Sequence, residues 1–146
     1  MQSPKQSHRY HFEDLKEGME ASTETIITQE DTRTFAKLSG DTNPVHTDPD
    51  EAAKSQFKAP IAHGLLTASL FSALFGKELP GPGSIYVSQS LVFKRPVYLG
   101  DSVTATIKIV RIDTEKRRVF FQTVCKTRGR IAISGEAEIY VPALSG

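Results

Sequence analysis

The pattern of hydrophobic and polar positions changes period along this chain. From Ser84 onward it repeats every two residues. Val103, Ala105, Ile107 and Ile109 alternate with Ser102, Thr104, Thr106 and Lys108, and Ile131, Ile133, Gly135, Ala137, Ile139 and Val141 alternate with Ala132, Ser134, Glu136, Glu138 and Tyr140. Such alternation predicts strands with one buried and one wet face, here over 84–93, 101–111, 118–126 and 131–141. Lys94-Arg95-Pro96 and the charged run Asp113-Thr114-Glu115-Lys116 punctuate them, which suits an antiparallel meander joined by short turns.

Before Ser84 the pattern is mixed. Residues 1 to about 20 are polar and read as an irregular lead-in, followed by a strand over 21–28 rich in Thr and Ile. A short helix is predicted over 29–38, with Thr28 as cap and Asp31 in the first turn, and another over 48–54, with Asp48 as N-cap and Pro49 at the first helical position. The stretch 62–77 is different in kind, because Leu65, Leu66, Ala68, Leu70, Phe71, Ala73, Leu74 and Phe75 leave only Thr67, Ser69 and Ser72 as polar interruptions. A helix apolar almost all round is expected to be buried on every side. The economical arrangement is an α+β domain in which a curved antiparallel sheet wraps this one long helix. An open sheet of that kind leaves edges that commonly pair with a second copy, so a homodimer is expected.

Composition narrows the function classes. A chain of 146 residues has room for one domain, taken as 1–146, and its 38% hydrophobic and 24% charged residues are ordinary for a globular protein. A formal net charge of +1 gives no electrostatic case for nucleic acid or a membrane surface as partner. The single Cys125 lies in an alternating apolar stretch, cannot form an internal disulfide, and suits a reducing compartment. No run approaches membrane-spanning length, and the expected location is cytoplasmic, with an organelle matrix left open by the basic, acid-free first ten residues.

Candidate chemistry concentrates between Phe35 and Pro49. Asp41 and His46 lie five residues apart and would point about 140° away from each other on a regular helix. Pro44 fixes its own φ and pushes Asn43 out of the helical region, so the segment must turn. A turned Asp-Thr-Asn-Pro-Val-His can aim both side chains at one water. The same residues also suit a plain helix-ending turn, with Asx side chains bonded to nearby backbone. His63-Gly64 opens the apolar helix, where backbone N–H groups lack helical partners and favour an anion or developing oxyanion. There too a packing role for Gly64 and a core histidine at His63 are the competing reading. Lys94, Arg95, Arg117, Arg118, Arg128 and Arg130 could grip phosphates, or form a solvated edge that discourages sheet aggregation. Gly81-Pro82-Gly83 is a turn with no phosphate-binding fingerprint after it, and Asp41, His46, Asp48 and His63 lack recognised metal-ligand spacing.

The run Leu38-Ser39-Gly40-Asp41-Thr42-Asn43-Pro44-Val45-His46 resembles the signature of the (R)-specific enoyl-CoA hydratases, also called hydratase 2 or MaoC-like dehydratases. Every defined position of their G-D-x-N-P-[LIV]-H core is matched. The resemblance extends through 59–66, 79–86, 89–97 and Gly100-Asp101, roughly residues 20 to 141, and is nearest to the short single-domain forms linked to polyhydroxyalkanoate synthesis. It implies a hotdog fold, a homodimer, an acyl-CoA substrate, no metal and no cofactor. It also implies reversible addition of water to a trans-2-enoyl thioester to give the (R)-3-hydroxyacyl product. On that resemblance Asp41 and His46 are the catalytic pair, the Gly64 N–H is the oxyanion donor, and Asn43 and Pro44 shape the loop. Ser72 and Phe75 become acyl-pocket candidates, with bulky Phe75 favouring short to medium chains. The alternatives are a 3-hydroxyacyl-[acyl-carrier-protein] dehydratase, a hotdog thioesterase and a non-catalytic acyl-thioester binding protein. Helix 62–77 carries no Asp or Glu of the sort a hotdog thioesterase often uses there.

Overall fold

The computed structural model describes residues 9–143. A 3-10 turn over Phe12–Asp14 precedes β1 (Glu20–Ile26), α1 (Gln29–Ser39), α2 (Pro44–Thr47), α3 (Pro49–Lys54) and α4 (Gly64–Lys77). Then follow β2 (Ile85–Gln89), β3 (Val92–Phe93), β4 (Ser102–Asp113), β5 (Arg118–Thr127) and β6 (Arg130–Tyr140). The strands form one antiparallel sheet in the order β1-β4-β5-β6-β2, with β3 continuing along β6 beyond β2. The fold is α+β, a sheet packed around one long helix.

The core sits between α4 and the sheet. Phe71, Leu74 and Phe75 on the helix join Val103, Ala105, Ile107, Val119, Phe121 and Ile139 from alternate positions of β4, β5 and β6 in one buried cluster. Phe75 meets Phe121 edge to face at a centroid distance of 4.8 Å, a favoured aromatic geometry. Each such side chain, fully removed from water, contributes about 1.5–3 kcal/mol. Cys125 is buried and free, and burial pushes its thiol up to about 12, so it is an inert core residue.

Four expectations are corrected. Helix α4 is not buried on every side in the single chain: Leu65 is 61% exposed, and Ser69, Ser72 and Ala73 are exposed with it. One sheet covers one side of a helix, and composition alone does not say how many surfaces are available to cover it. The strand expected over 84–93 is two strands, because at Ser90 the edge bends inward. A Cβ on Gly135 would lie 1.8 Å from the Ser90 carbonyl oxygen, so only glycine admits that approach. Pro44 does not simply break the chain; it occupies the first position of α2, behind Asn43 as N-cap. The lead-in is irregular but not merely polar, since Phe12 and Leu15 are buried in the main core. Residues 1–8 of that lead-in lie outside the described residues.

Candidate active site

The site is assembled from consecutive local turns. Thr28 and Asp31 start α1 with reciprocal side-chain-to-backbone bonds, and Gly40 ends it in the left-handed region at φ 82°, donating its N–H to Ala36 O. Three side chains then hold the backbone in relay. Asp41 N–H donates to Ser39 Oγ at 3.1 Å, Asn43 N–H to Asp41 Oδ1 at 3.2 Å, and Val45 N–H to Asn43 Oδ1 at 3.2 Å. One turn of α2 follows, and His46 comes round to Asp41. Asp48, by contrast, is spent as a cap, its Oδ1 accepting from the N–H groups of Asp50 and Glu51.

His46 is oriented from behind. Its Nδ1 lies 2.7 Å from Ile61 O, and because a carbonyl only accepts, Nδ1 carries the proton and Nε2 presents a lone pair. Ile61 N–H returns a bond to Val45 O at 3.3 Å, and Gln29 Nε2 donates to His46 O. Burial holds the His46 imidazole below its ordinary value; His63 also lowers it, while the Ile61 hydrogen bond and Asp41 oppose the shift. A neutral His46 with a free Nε2 is what a proton acceptor requires. The Asp41 side chain is half exposed, with Oδ1 engaged at Asn43 and Oδ2 4.0 Å from His63 Nε2.

The start of α4 closes the third side. Ala62 N–H donates to Val97 O at 2.8 Å, which fixes the residue before His63. Gly64 is the first helical residue, so its N–H has no intrahelical acceptor and sits at the positive end of the helix dipole. A Cβ there would lie 2.5 Å from the Phe93 ring, so the glycine also admits a close aromatic neighbour. The packing reading of Gly64 therefore holds, and its position at the helix start is compatible with the oxyanion reading.

A cavity of about 450 Å³ joins these groups, lined by Phe35, Asp41, His46, His63, Gly64 and Phe93, together with Lys94 and Arg95. Asp41, His46 and Gly64, separated by up to 23 positions in sequence, meet here. Asn43 and Pro44 shape the loop behind the cavity. Ser72 and Phe75 do not line it: Ser72 lies on the exposed face of α4, and Phe75 is in the core against Phe121. Two features were under-read in sequence. His63 is 2% exposed and stacks on His46, and Lys94-Arg95 borders the cavity rather than a remote edge. One ligand atom from each of Asp41, His46 and His63 falls within 4.8 Å of the others. His46 Nδ1 and His63 Nε2 are each committed to a backbone carbonyl.

Residues 11–136 match the family model described as MaoC like domain. The chain belongs to the MaoC-like family. An (R)-specific enoyl-CoA hydratase of Rhodospirillum rubrum is 50% identical over 134 residues, covering 92% of this chain and 93% of that one. The solved structure of the (R)-hydratase from A. caviae involved in PHA biosynthesis superposes with a TM-score of 0.87 at 43% identity, covering 88% of this chain and 98% of that one. A mitochondrial 3-hydroxyacyl-[acyl-carrier-protein] dehydratase of Arabidopsis thaliana is 35% identical, covering 89% of this chain and 80% of that one. The hotdog architecture of this MaoC-like chain is that of its solved relatives.

In chemical terms, one wall of the MaoC-like cavity offers a carboxylate and a neutral imidazole, and another offers an unpaired N–H at a helix start. The first pair can take a proton from water and return one. The second can hold an oxygen that gains negative charge.

Proposed function

We propose that this MaoC-like protein is a hydro-lyase that hydrates trans-2-enoyl-CoA to (R)-3-hydroxyacyl-CoA, reversibly, through Asp41, His46 and the Gly64 N–H. The observation that carries this reading is the convergence of those three groups on one cavity. Water held by Asp41 Oδ2 and His46 Nε2 loses a proton as its oxygen bonds to C3. The C2–C3 π electrons move toward the thioester oxygen, which the Gly64 N–H receives, and C2 then takes a proton from the same pair. A preorganised donor at such an oxygen contributes about 3–4 kcal/mol to the transition state. Asp41 and His46 act as a coupled pair, so the two proton transfers belong to both.

Carrier, assembly and location are parts of the same proposal. Lys94 and Arg95 beside the cavity favour a phosphate-bearing CoA. The carrier-protein reading has the plant mitochondrial relative in its favour, and turnover of CoA and carrier-protein thioesters of one chain length separates the two. We propose a homodimer because β2 is exposed on both faces, with apolar Ile85, Tyr86 and Val87 on a strand that has no second neighbour among the described residues, and because Leu65 of α4 is bare as well. We place the protein in the cytoplasm; among the described residues no helix is long and apolar enough to cross a membrane. The acyl chain would occupy the cavity of about 450 Å³ that Phe35, Phe57 and Phe93 line, and that limited volume, which neither Ser72 nor Phe75 borders, is our ground for short to medium chains.

The test is absorbance-monitored hydration of crotonyl-CoA by purified protein, with chiral analysis of the product. Loss of the enoyl band and an (R)-alcohol are expected. An (S)-product, or no hydration at any chain length, overturns the reading. A kcat/KM that rises through ten- and twelve-carbon substrates removes the chain-length part alone.

A further inference from the structure

We propose that His63 is a positioning residue for the whole proton-handling pair, fixing the Asp41 main chain and the His46 ring plane from one buried imidazole. This rests on the hydratase reading only for its turnover measurement. His63 Nε2 lies 3.0 Å from Asp41 O, and since the carbonyl accepts, Nε2 donates. Asp41 follows the end of α1 directly, and this bond ties it to the first residue before α4, 22 positions away. On one side the His63 ring lies on His46 at a centroid distance of 4.0 Å with planes 31° apart. On another, Phe35 of α1 meets it at 4.7 Å and 55°. The ring is therefore held by a helix end and an aromatic neighbour, and in turn it sets where Asp41 and His46 can be.

The alternative is a histidine kept only for packing, and one atom argues against it. With Nε2 as donor, Nδ1 carries a lone pair, and it is buried without a hydrogen-bond partner among the described residues. A buried acceptor left unpaired is unfavourable, and most native polar groups avoid it. Phenylalanine or leucine would fill the volume with no such cost. What they could not do is donate to Asp41 O. The unpaired Nδ1 is the consequence of keeping that donor in an otherwise apolar wall.

His63 also bears on His46 through charge, because a proton added to its bare Nδ1 would place a second imidazolium against the His46 ring. The charged groups around the His46 imidazole are Asp41 on the preceding turn, His63 at the start of α4, and Lys94 and Arg95 across the cavity. Of these, His63 disfavours and Asp41 favours the imidazolium. A variant lacking the His63 ring nitrogens therefore lets His46 hold its proton to higher pH.

Two variants separate the functions. His63→Phe keeps a ring in the stack and removes the donor; His63→Gln offers an amide N–H toward Asp41 O and removes the ring. The measurements are kcat and KM for crotonyl-CoA, the acid limb of the kcat/KM profile, and the NMR titration midpoint of the His46 ring. For His63→Phe we expect kcat to fall about 10- to 100-fold with KM within about threefold, the scale of a misplaced reacting group. His63→Gln should recover most of that loss, and in both variants the His46 midpoint and the acid limb move to higher pH. Wild-type kcat with an unmoved midpoint in both variants overturns the proposal. So does an equal loss of kcat and of thermal stability in both, with the midpoint unmoved. The midpoint is read without turnover. A wild type that fails to hydrate while His46 still moves in the variants removes the hydratase reading and leaves the positioning role standing.

Discussion

The β4–β6 meander and the segment from residue 40 to residue 64 are built in opposite ways. In the meander, every second side chain is sealed: Val103, Ala105, Ile107, Val119, Phe121 and Ile139 all lose their water to a shared core. In the segment the only large buried side chains, Ile61 and His63, lie at its end, and α2 buries no residue at all. Its shape comes instead from side chains bonded to backbone two residues on, and from two hydrogen bonds between residues distant in sequence, His46 to Ile61 and His63 to Asp41. Stability and chemistry are thus held by different interactions. Substitutions in the two regions should separate the two properties.

The largest effect belongs to the meander. Phe121 is fully buried and edge-packed on Phe75, so Phe121→Ala leaves a cavity the neighbours can only partly fill. A loss of about 3–5 kcal/mol in denaturant unfolding is expected. The fraction that remains folded should turn over at nearly the wild-type rate. A loss under about 1 kcal/mol would show that the sheet is not what carries the fold.

Next come Asp41→Ala and His46→Ala, which invert that result. Each should reduce kcat at least about a hundredfold, the usual scale for acid–base groups. Stability should change by only about 1 kcal/mol, because each side chain gives up a single hydrogen bond. Near-wild-type kcat in both would leave the cavity a binding role only. A large stability loss in either would break the separation between the regions.

What the sequence makes legible follows the same division. A period of two needs no partner to be recognised, so most of the strands, the α1 and α3 caps and the existence of a long apolar α4 can be read from order alone. Asp41, His46 and Gly64 are legible through a motif, and Thr28 with Asp31 through their spacing. What stays hidden depends on contacts between distant residues. That His63 turns toward Asp41 and His46 rather than into the core depends on a bond spanning 22 positions. Leu65 looks like core because its helix is apolar, and it is exposed because one sheet has one face. Ser72 and Phe75 share a helix with Gly64 but lie eight and eleven residues beyond it, about 12 Å or more along the axis. That distance takes them out of the cavity.

Asn43→Ala tests the relay itself. The change removes the Oδ1 that caps α2, and a lost cap costs about 1 kcal/mol. In an exposed segment most of that loss falls on local order. We expect kcat lower by roughly tenfold through displacement of His46, with the unfolding midpoint nearly unchanged. Replacement by Asp, which also caps, should restore most of the rate.

The smallest effect lies at the edge where the two regions meet. Lys94 donates its N–H to Ala132 O of β6, while its exposed side chain borders the cavity and, among the described residues, forms no ion pair. Arg95 is held differently, with Nη1 on Ile131 O at 3.1 Å. An exposed ammonium attracts a phosphate only through water, so its contribution is modest and salt-sensitive. Lys94→Gln should therefore raise KM for crotonyl-CoA about two- to fivefold at low ionic strength, leave kcat unchanged, and have little effect in high salt. The decisive comparison is a crotonyl thioester of pantetheine, which lacks the nucleotide. If Lys94 meets the phosphates of CoA, KM for that short thioester is the same in variant and wild type. If KM rises equally for both thioesters, the lysine acts on the acyl-bearing end, and the charge beside the cavity belongs to the chemistry after all.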